Sequence, residues 1–148
     1  MNYIGSKYKL SDFIKTTVKQ VVDEDLSELI FCDLFAGTGI VGRTFKSEVK
    51  KVISNDVEYY SFVLNKNYIG NINPIDYKPF LDNLNQLNGV AGFIFEEYSE
   101  NGKANRLYFS EQNGKKIDAI RQKIETWKNS GEISENIYFF LLTSLLES

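Results

Sequence analysis

A short apolar run that ends in a glycine-rich turn is the feature that most restricts how this chain can fold. Residues 29–35 read Leu-Ile-Phe-Cys-Asp-Leu-Phe, and the turn Ala36-Gly37-Thr38-Gly39 follows directly. The run is rich in strand-forming residues, and glycine allows the tight reversal that leads from a strand into a helix. With a helix predicted over residues 40–46, the segment indicates a strand, a turn and a helix in immediate succession.

A second strand and a second helix repeat this order further along the chain. Residues 49–54 predict a buried strand that ends at Asn55-Asp56, and residues 58–67 predict a helix. Before both strands, apolar residues spaced three and four apart over residues 10–22 predict an amphipathic helix. Alternating strands and helices are typical of a parallel α/β sheet with right-handed crossovers.

The second half of the chain is predicted to be mostly helical. Ser110 and Ser134 are suited to cap the N-termini of two helices, because their hydroxyl oxygens can accept from free backbone N–H groups. Phe93-Ile94-Phe95 is ambiguous between a short strand and a buried loop. Trp127 and Tyr138 are expected in the core.

Composition excludes several kinds of site. The net charge of −3 argues against a general electrostatic grip on nucleic acid, so that any DNA would be bound locally. With no histidine and one cysteine, the chain has neither a structural zinc site nor a Cys-His or Ser-His catalytic pair. No apolar stretch approaches the roughly 20 residues that a bilayer span needs. We therefore expect a cytoplasmic protein with no membrane partner.

Basic residues in the second half could in principle face DNA. They are interleaved with acidic residues, which favours a solvated helix surface. The residues concerned are Lys103, Arg106, Lys115, Lys116, Arg121 and Lys123.

The glycine turn and the acidic residue after the second strand together predict a nucleoside-containing cofactor. Glycines let the backbone approach a ligand over the carboxyl end of the sheet, and Asp56 can accept hydrogen bonds from both ribose hydroxyls. Two cofactor classes compete, because Gly37, Gly39 and Gly42 also spell the dinucleotide pattern G-x-G-x-x-G. Asp33 within the first strand favours a cofactor with a positively charged amino-acid part over a pyrophosphate.

Three short blocks of the chain resemble the Dam-like (alpha-class) DNA adenine-N6 methyltransferases. The blocks are Tyr3-Ile4-Gly5-Ser6-Lys7, Asp33 to Gly39, and Asn55-Asp56-Val57, and they follow one another in the order of that class. The resemblance implies an S-adenosyl-L-methionine site within a class I (Rossmann-like) methyltransferase sheet. The cofactor-binding residues that it implies are Tyr3, Gly5, Lys7, Asp33, Phe35, Ala36, Gly37, Thr38, Gly39, Asp56 and Val57.

The resemblance also implies a role for each end of the ligand. Tyr3 and Lys7 would lie at the methionine end, with Lys7 near the carboxylate. Residues 35–39 would surround the methionine and the sulfonium. Asp56 would hold the ribose, and Val57 would pack on the adenine. Tyr3 and Lys7 could instead be an N-terminal anchor and a solvated cation.

The sequence departs from the family at the catalytic loop. The family presents a flipped adenine to a D-P-P-Y type loop, whereas the only prolines here, Pro74 and Pro79, are not adjacent. No catalytic residue is therefore predicted in this chain, and the catalytic half is expected to be absent. Residues 1–75 would be the cofactor-binding half, residues 76–148 a helical extension of the same domain, and the α/β sheet would be incomplete.

These observations predict the cofactor-binding portion of a DNA adenine-N6 methyltransferase of a restriction-modification system, acting on double-stranded DNA within the complete enzyme. A sheet of two strands leaves at least one edge unpaired, which favours oligomerisation or a complementing catalytic polypeptide. The alternatives are a non-catalytic subunit or remnant, and a dinucleotide-binding module.

Overall fold

The computed structural model describes residues 7–22, 25–71 and 73–148, which divide into two compact units. The first unit extends to Asn73 and the second runs from Pro74 to Ser148. The predicted division into a cofactor-binding half and an extension of the same domain assigns a function to each part. That assignment stays a prediction.

The first unit alternates helices and strands as the sequence predicts. Its elements are a 3-10 turn at Tyr8–Leu10, α1 at Ser11–Val21, a 3-10 turn at Leu26–Glu28, β1 at Ile30–Asp33, α2 at Ile40–Phe45, β2 at Lys51–Ser54, α3 at Tyr59–Asn65 and a π-helical turn at Lys66–Gly70. Strand β1 is three residues shorter than its apolar run, whose last two residues belong to the loop that follows, and β2 begins two residues later than its run. The π-helical turn continues directly from α3.

The two strands pair in parallel, which confirms a mixed α/β architecture with a small sheet. Ile30 lies opposite Lys51, and Asp33 lies opposite Ser54. Helix α2 packs against both strands, and α1 packs against α2. Phe31 stacks on Phe45 of α2 with ring centroids 4.2 Å apart. Two strands do not define the class I methyltransferase sheet, so that assignment stays a prediction.

A glycine lets α2 approach the sheet closely. A Cβ atom on Gly42 would lie 3.1 Å from Val52 Cγ1 and 2.7 Å from Ile69 Cδ1. Contacts this short require a glycine, because a methyl group would have to displace its neighbours. The third glycine of the G-x-G-x-x-G pattern is therefore explained by helix–strand packing.

The prediction of a fully buried second strand is wrong. Both strands alternate between exposed and half-buried residues, so one face of the sheet is open. Parallel strands are normally covered on both faces, whereas α2 covers one face of this sheet. The exposed residues of the other face are Ile30, Cys32 and Leu34 from the first strand region and Ile53 from the second.

The second unit consists of four helices. They are α4 at Lys78–Gln86, α5 at Phe93–Tyr98, α6 at Glu111–Ser130 and α7 at Glu135–Glu147. Ser110 Oγ accepts from Asn113 N at 3.3 Å, and Ser134 Oγ accepts from Ile137 N at 3.3 Å. Both predicted N-caps are thus confirmed.

Residues 93–95 form the start of α5, so neither the strand nor the loop considered for them is correct. The carboxylate of Asp118 in α6 accepts from Ile94 N at 3.0 Å and from Phe95 N at 2.8 Å. These two N–H groups have no partner within α5, since they lie in its first turn. A residue more than 20 positions away therefore stabilises this short helix.

The core of the second unit is aromatic, as expected. Trp127 and Tyr138 are buried, and Phe80 packs edge-on against Trp127 at a centroid distance of 5.3 Å. In the ranges that the structure describes, no helix is both long and apolar enough to cross a bilayer.

Several basic residues of the second unit pair with carboxylates, in keeping with a solvated helix surface. The pairs are Lys103–Glu96 at 3.7 Å, Lys115–Glu111 at 2.5 Å, and Arg121–Glu125. Exposed pairs of this kind contribute at most about 1 kcal/mol each.

Candidate cofactor-binding site

The loops after both strands meet at the carboxyl edge of the sheet. Because the strands are parallel, β1 and β2 end side by side, at Asp33 and Ser54. Asn55 N donates to Asp33 O at 2.8 Å, and Ala36 N donates to Asn55 O at 2.9 Å. The glycine turn and the segment with Asp56 are thereby joined by backbone hydrogen bonds.

Asp56 contacts the glycine turn directly. Its Oδ2 accepts from Gly37 N at 2.7 Å, and its Oδ1 accepts from Glu58 N at 3.0 Å. The hydrogen bond from Glu58 N, followed by that from Gly37 N, lowers the pKa of Asp56 below its ordinary value of 3.8, and the positive charge of Lys7 adds to the effect. Asp56 is therefore a carboxylate at neutral pH and retains lone pairs for further donors.

Lys7 also lies at this edge. Its Nζ donates to the carbonyl oxygen of Phe35 at 2.6 Å and lies 3.9 Å from Asp33 Oδ1. Thus Lys7, Asp33, Phe35, Gly37 and Asp56 lie together in one cluster, and their role in cofactor binding stays a prediction. Tyr3 and Gly5, the other two residues predicted from the N-terminal block, lie outside the described residues.

The carboxylate of Asp33 has one oxygen without a partner. Only 11% of its side chain is exposed, and Oδ1 accepts a long hydrogen bond of 3.3 Å from Phe35 N. Its Oδ2 is buried and has no hydrogen-bond partner among the described residues. A buried carboxylate oxygen without a donor is costly, so this atom is suited to a cationic group of a ligand.

The remaining predicted residues differ in exposure. Phe35 and Val57 are exposed to 79% and 94%, whereas Ala36 is buried. Gly37 and Gly39 have φ angles of +54° and +75°, which favour glycine. Among the described residues other than its two chain neighbours, none has an atom within 4 Å of the position that a Cβ atom on Gly37 would take. Open space over a glycine and two exposed apolar side chains give a flat ligand room to pack there.

A cavity of about 290 Å³ adjoins Asp56. It is lined by Ser54, Asn55, Asp56, Ser61, Phe62, Asn65, Lys66, Ile69 and Gly70. Two of these residues, Ser61 and Asn65, were not predicted from the sequence, and both donate hydrogen bonds to the carbonyl oxygen of Gly37. Their spacing of four residues on one helix face next to the acidic residue is the signal that was available.

Fold and site together define a mixed α/β protein whose strand ends carry polar groups suited to a nucleoside with a cationic part. The family model of the D12 class N6 adenine-specific DNA methyltransferases matches residues 3–148. The chain belongs to this family, which confirms the predicted DNA adenine-N6 methyltransferase family and indicates S-adenosylmethionine as the cofactor class.

Known relatives are named as type II methyltransferases or modification methylases. The chain is 55% identical over 148 residues to the type II methyltransferase M.NlaIII of Neisseria lactamica, covering 99% of this chain and 44% of that protein. It is 38% identical to the modification methylase StsI of Streptococcus sanguinis, covering all of this chain and 24% of that protein. It is 35% identical to the type II methyltransferase M.CviAII of Paramecium bursaria Chlorella virus 1, with 44% of that protein covered.

The chain thus spans less than half the length of these relatives. No solved structure matches it.

Proposed function

We propose that this chain forms the S-adenosyl-L-methionine-binding portion of a DNA adenine-N6 methyltransferase of a restriction-modification system. The observation that carries the proposal is the cluster at the strand ends, where Asp56 accepts from Gly37 N and a buried oxygen of Asp33 has no donor among the residues that the structure describes. Both carboxylates lie on the first unit, beside a glycine turn with open space over Gly37.

Each polar group has a task that follows from its chemistry. Asp56 accepts from the ribose hydroxyls while its backbone hydrogen bonds hold it in place. Asp33 Oδ2 accepts from the amino group of the methionine part, and Lys7 would pair with the carboxylate of the same methionine part. Phe35 and Val57 cover the apolar faces of the ligand. When bound, the cofactor supplies a methyl group on a sulfonium, which is electrophilic.

In this proposal, the groups that bind the target adenine of the DNA and the catalytic groups belong to another polypeptide segment. Within this sequence there are no adjacent prolines and hence no D-P-P-Y loop. The match covers 44% of M.NlaIII and 44% of M.CviAII, so more than half of each relative lies outside the matched region. Double-stranded DNA would be bound by the complete enzyme, and a cytoplasmic location stays part of the proposal.

One structural observation favours a complementing role for this chain. The open sheet face carries Ile30, Leu34 and Ile53, which are exposed to 58%, 60% and 41%. Parallel sheets bury both faces, so a catalytic polypeptide that docks on this face would cover its exposed apolar side chains. A second copy of the chain is the alternative occupant.

Calorimetry with the full chain tests the cofactor assignment. S-adenosylhomocysteine is expected to bind, NAD is expected not to bind, and Asp56→Ala is expected to abolish most of the S-adenosylhomocysteine signal. Thr44→Val is the matched control, because Thr44 bonds only to Ile40 O within its own helix. Preferential binding of NAD would overturn the assignment.

A methylation assay tests the division of labour. The chain alone is expected not to transfer methyl groups to adenine-containing duplexes, whereas activity is expected after a polypeptide with the D-P-P-Y half is added. Turnover by the chain alone would show that catalysis resides in it.

A further inference from the structure

Two consecutive peptide groups of the glycine turn are held by side chains that follow β2. The N–H of Gly37 donates to Asp56 Oδ2 at 2.7 Å. Its carbonyl oxygen accepts from the Ser61 hydroxyl and from Asn65 Nδ2, the latter at 3.2 Å. Because one peptide plane lies on each side of the Gly37 Cα atom, holding both planes restricts both its φ and its ψ.

The two donors are themselves fixed on α3. Ser61 is completely buried, and Asn65 Nδ2 also donates to Ser61 O at 2.8 Å. The residues are four apart, so they lie on the same face of the helix. A buried hydroxyl and a half-buried amide group that both donate to one carbonyl oxygen hold it more firmly than solvent would.

Asn65 also determines which residue can follow in the turn. An ideal Cβ atom on Gly39 would lie 2.5 Å from Asn65 Oδ1, and Gly39 has a φ angle of +75°. The Oδ1 atom of Asn65 is buried and has no hydrogen-bond partner among the described residues. The side chain is therefore held by its Nδ2 hydrogen bonds and by its fit against Gly39.

The opposite side of Gly37 is open as far as the structure describes the chain. Apart from the two adjacent residues, no described residue has an atom within 4 Å of the position that a Cβ atom on Gly37 would take. The turn is held from the side of α3 and Asp56. A turn whose peptide planes are set before a ligand arrives loses less conformational entropy on binding.

We propose that Ser61 and Asn65 are positioning residues for the cofactor. They orient the two peptide groups of Gly37, and through its N–H they hold the carboxylate of Asp56 in the direction that the ribose requires. They act through Gly37, to whose carbonyl oxygen both side chains donate. This inference rests on the proposed function, because it assigns Asp56 and the glycine turn to the same cofactor.

Calorimetry with S-adenosylhomocysteine on the full chain tests the proposal. Asn65→Asp keeps the shape of the side chain but loses both donors, and Ser61→Ala loses the hydroxyl. Each variant is expected to bind about tenfold more weakly, the effect of losing one such hydrogen bond. Thr44→Val, which removes a half-buried hydroxyl elsewhere in the same unit, is expected to bind like the wild-type chain.

The amide resonance of Gly37 in a ¹⁵N–¹H spectrum distinguishes positioning from a general loss of stability. We expect it to shift and to exchange faster in Ser61→Ala and Asn65→Asp, although neither side chain contacts that N–H, and to stay unchanged in Thr44→Val. Wild-type affinity in both variants would refute the positioning role and leave the proposed function intact. Failure of the wild-type chain to bind S-adenosylhomocysteine would overturn the proposed function, and this role with it.

Discussion

Replacing Asp33 by asparagine removes a charge from the strand end and preserves the shape of the side chain. In the ligand-free chain, the carboxylate of Asp33 makes only weak interactions with the described residues. Oδ1 accepts one hydrogen bond of 3.3 Å, and Lys7 Nζ lies 3.9 Å away with 37% of its side chain exposed. An ion pair of that kind contributes about 0–1 kcal/mol, and the buried Oδ2 has no partner among the described residues. We expect the free energy of unfolding to change by less than about 1 kcal/mol.

The expected effect of the substitution on ligand affinity is much larger. If Asp33 Oδ2 accepts from the ammonium group of S-adenosylhomocysteine, the substitution removes a hydrogen bond between two charged groups. Such bonds contribute about 1.5–3 kcal/mol. Since 1.4 kcal/mol corresponds to a factor of ten in affinity, the dissociation constant should rise about 10- to 100-fold.

A second ligand makes the assay specific for the amino-acid end. Methylthioadenosine has the adenosine and the sulfur but no ammonium or carboxylate group. Calorimetry should show that Asp33→Asn weakens S-adenosylhomocysteine and leaves methylthioadenosine within about twofold of wild type. Urea titration of the unliganded chain provides the stability control.

Two results would refute this reasoning. An equal loss of affinity for both ligands would mean that Asp33 maintains the shape of the turn and does not bind the amino group. A loss of more than about 2 kcal/mol in unfolding free energy, with no ligand present, would mean that the carboxylate has a structural donor.

Three further changes test other parts of the structure. Asp118→Ala leaves the N–H groups of Ile94 and Phe95 without an acceptor, so the unfolding free energy should fall by about 2 kcal/mol in urea titration; an unchanged midpoint would contradict the capping role. The pKa of Asp56 is lowered in the folded chain, so its contribution to stability is present above pH 3.8 and is lost as the pH falls through the folded-state pKa; Asp56→Asn should reduce the loss of stability on acidification, as measured by unfolding at pH 5 and below. Ile53→Lys on the open sheet face should leave the stability of the chain within about 0.5 kcal/mol but weaken complementation in the methylation assay, and full complementation would exclude this face as the docking surface.

Local signals in the sequence determined the order of elements in the first unit. The apolar run before Ala36 and the positive φ angles of Gly37 and Gly39 concern residues adjacent in the chain, so a strand, a turn and a helix could be predicted there. Parallel pairing followed from the helical crossover and brought Asp56 to the same edge. The caps at Ser110 and Ser134 are local in the same sense, since each hydroxyl bonds to an N–H three residues ahead.

Only the tertiary structure decided the features that depend on distant partners. Residues 93–95 are helical because Asp118, on another helix, caps their N–H groups, and no pattern within the segment indicates that. Likewise, Ser61 and Asn65 acquire a role only because α3 lies beside Gly37, and β2 is half-exposed because no described element of its unit covers the second face of the sheet. The physical reason is the same in each case: hydrophobic periodicity and glycine torsion angles act along the chain, whereas hydrogen-bond partners and burial depend on which elements pack together.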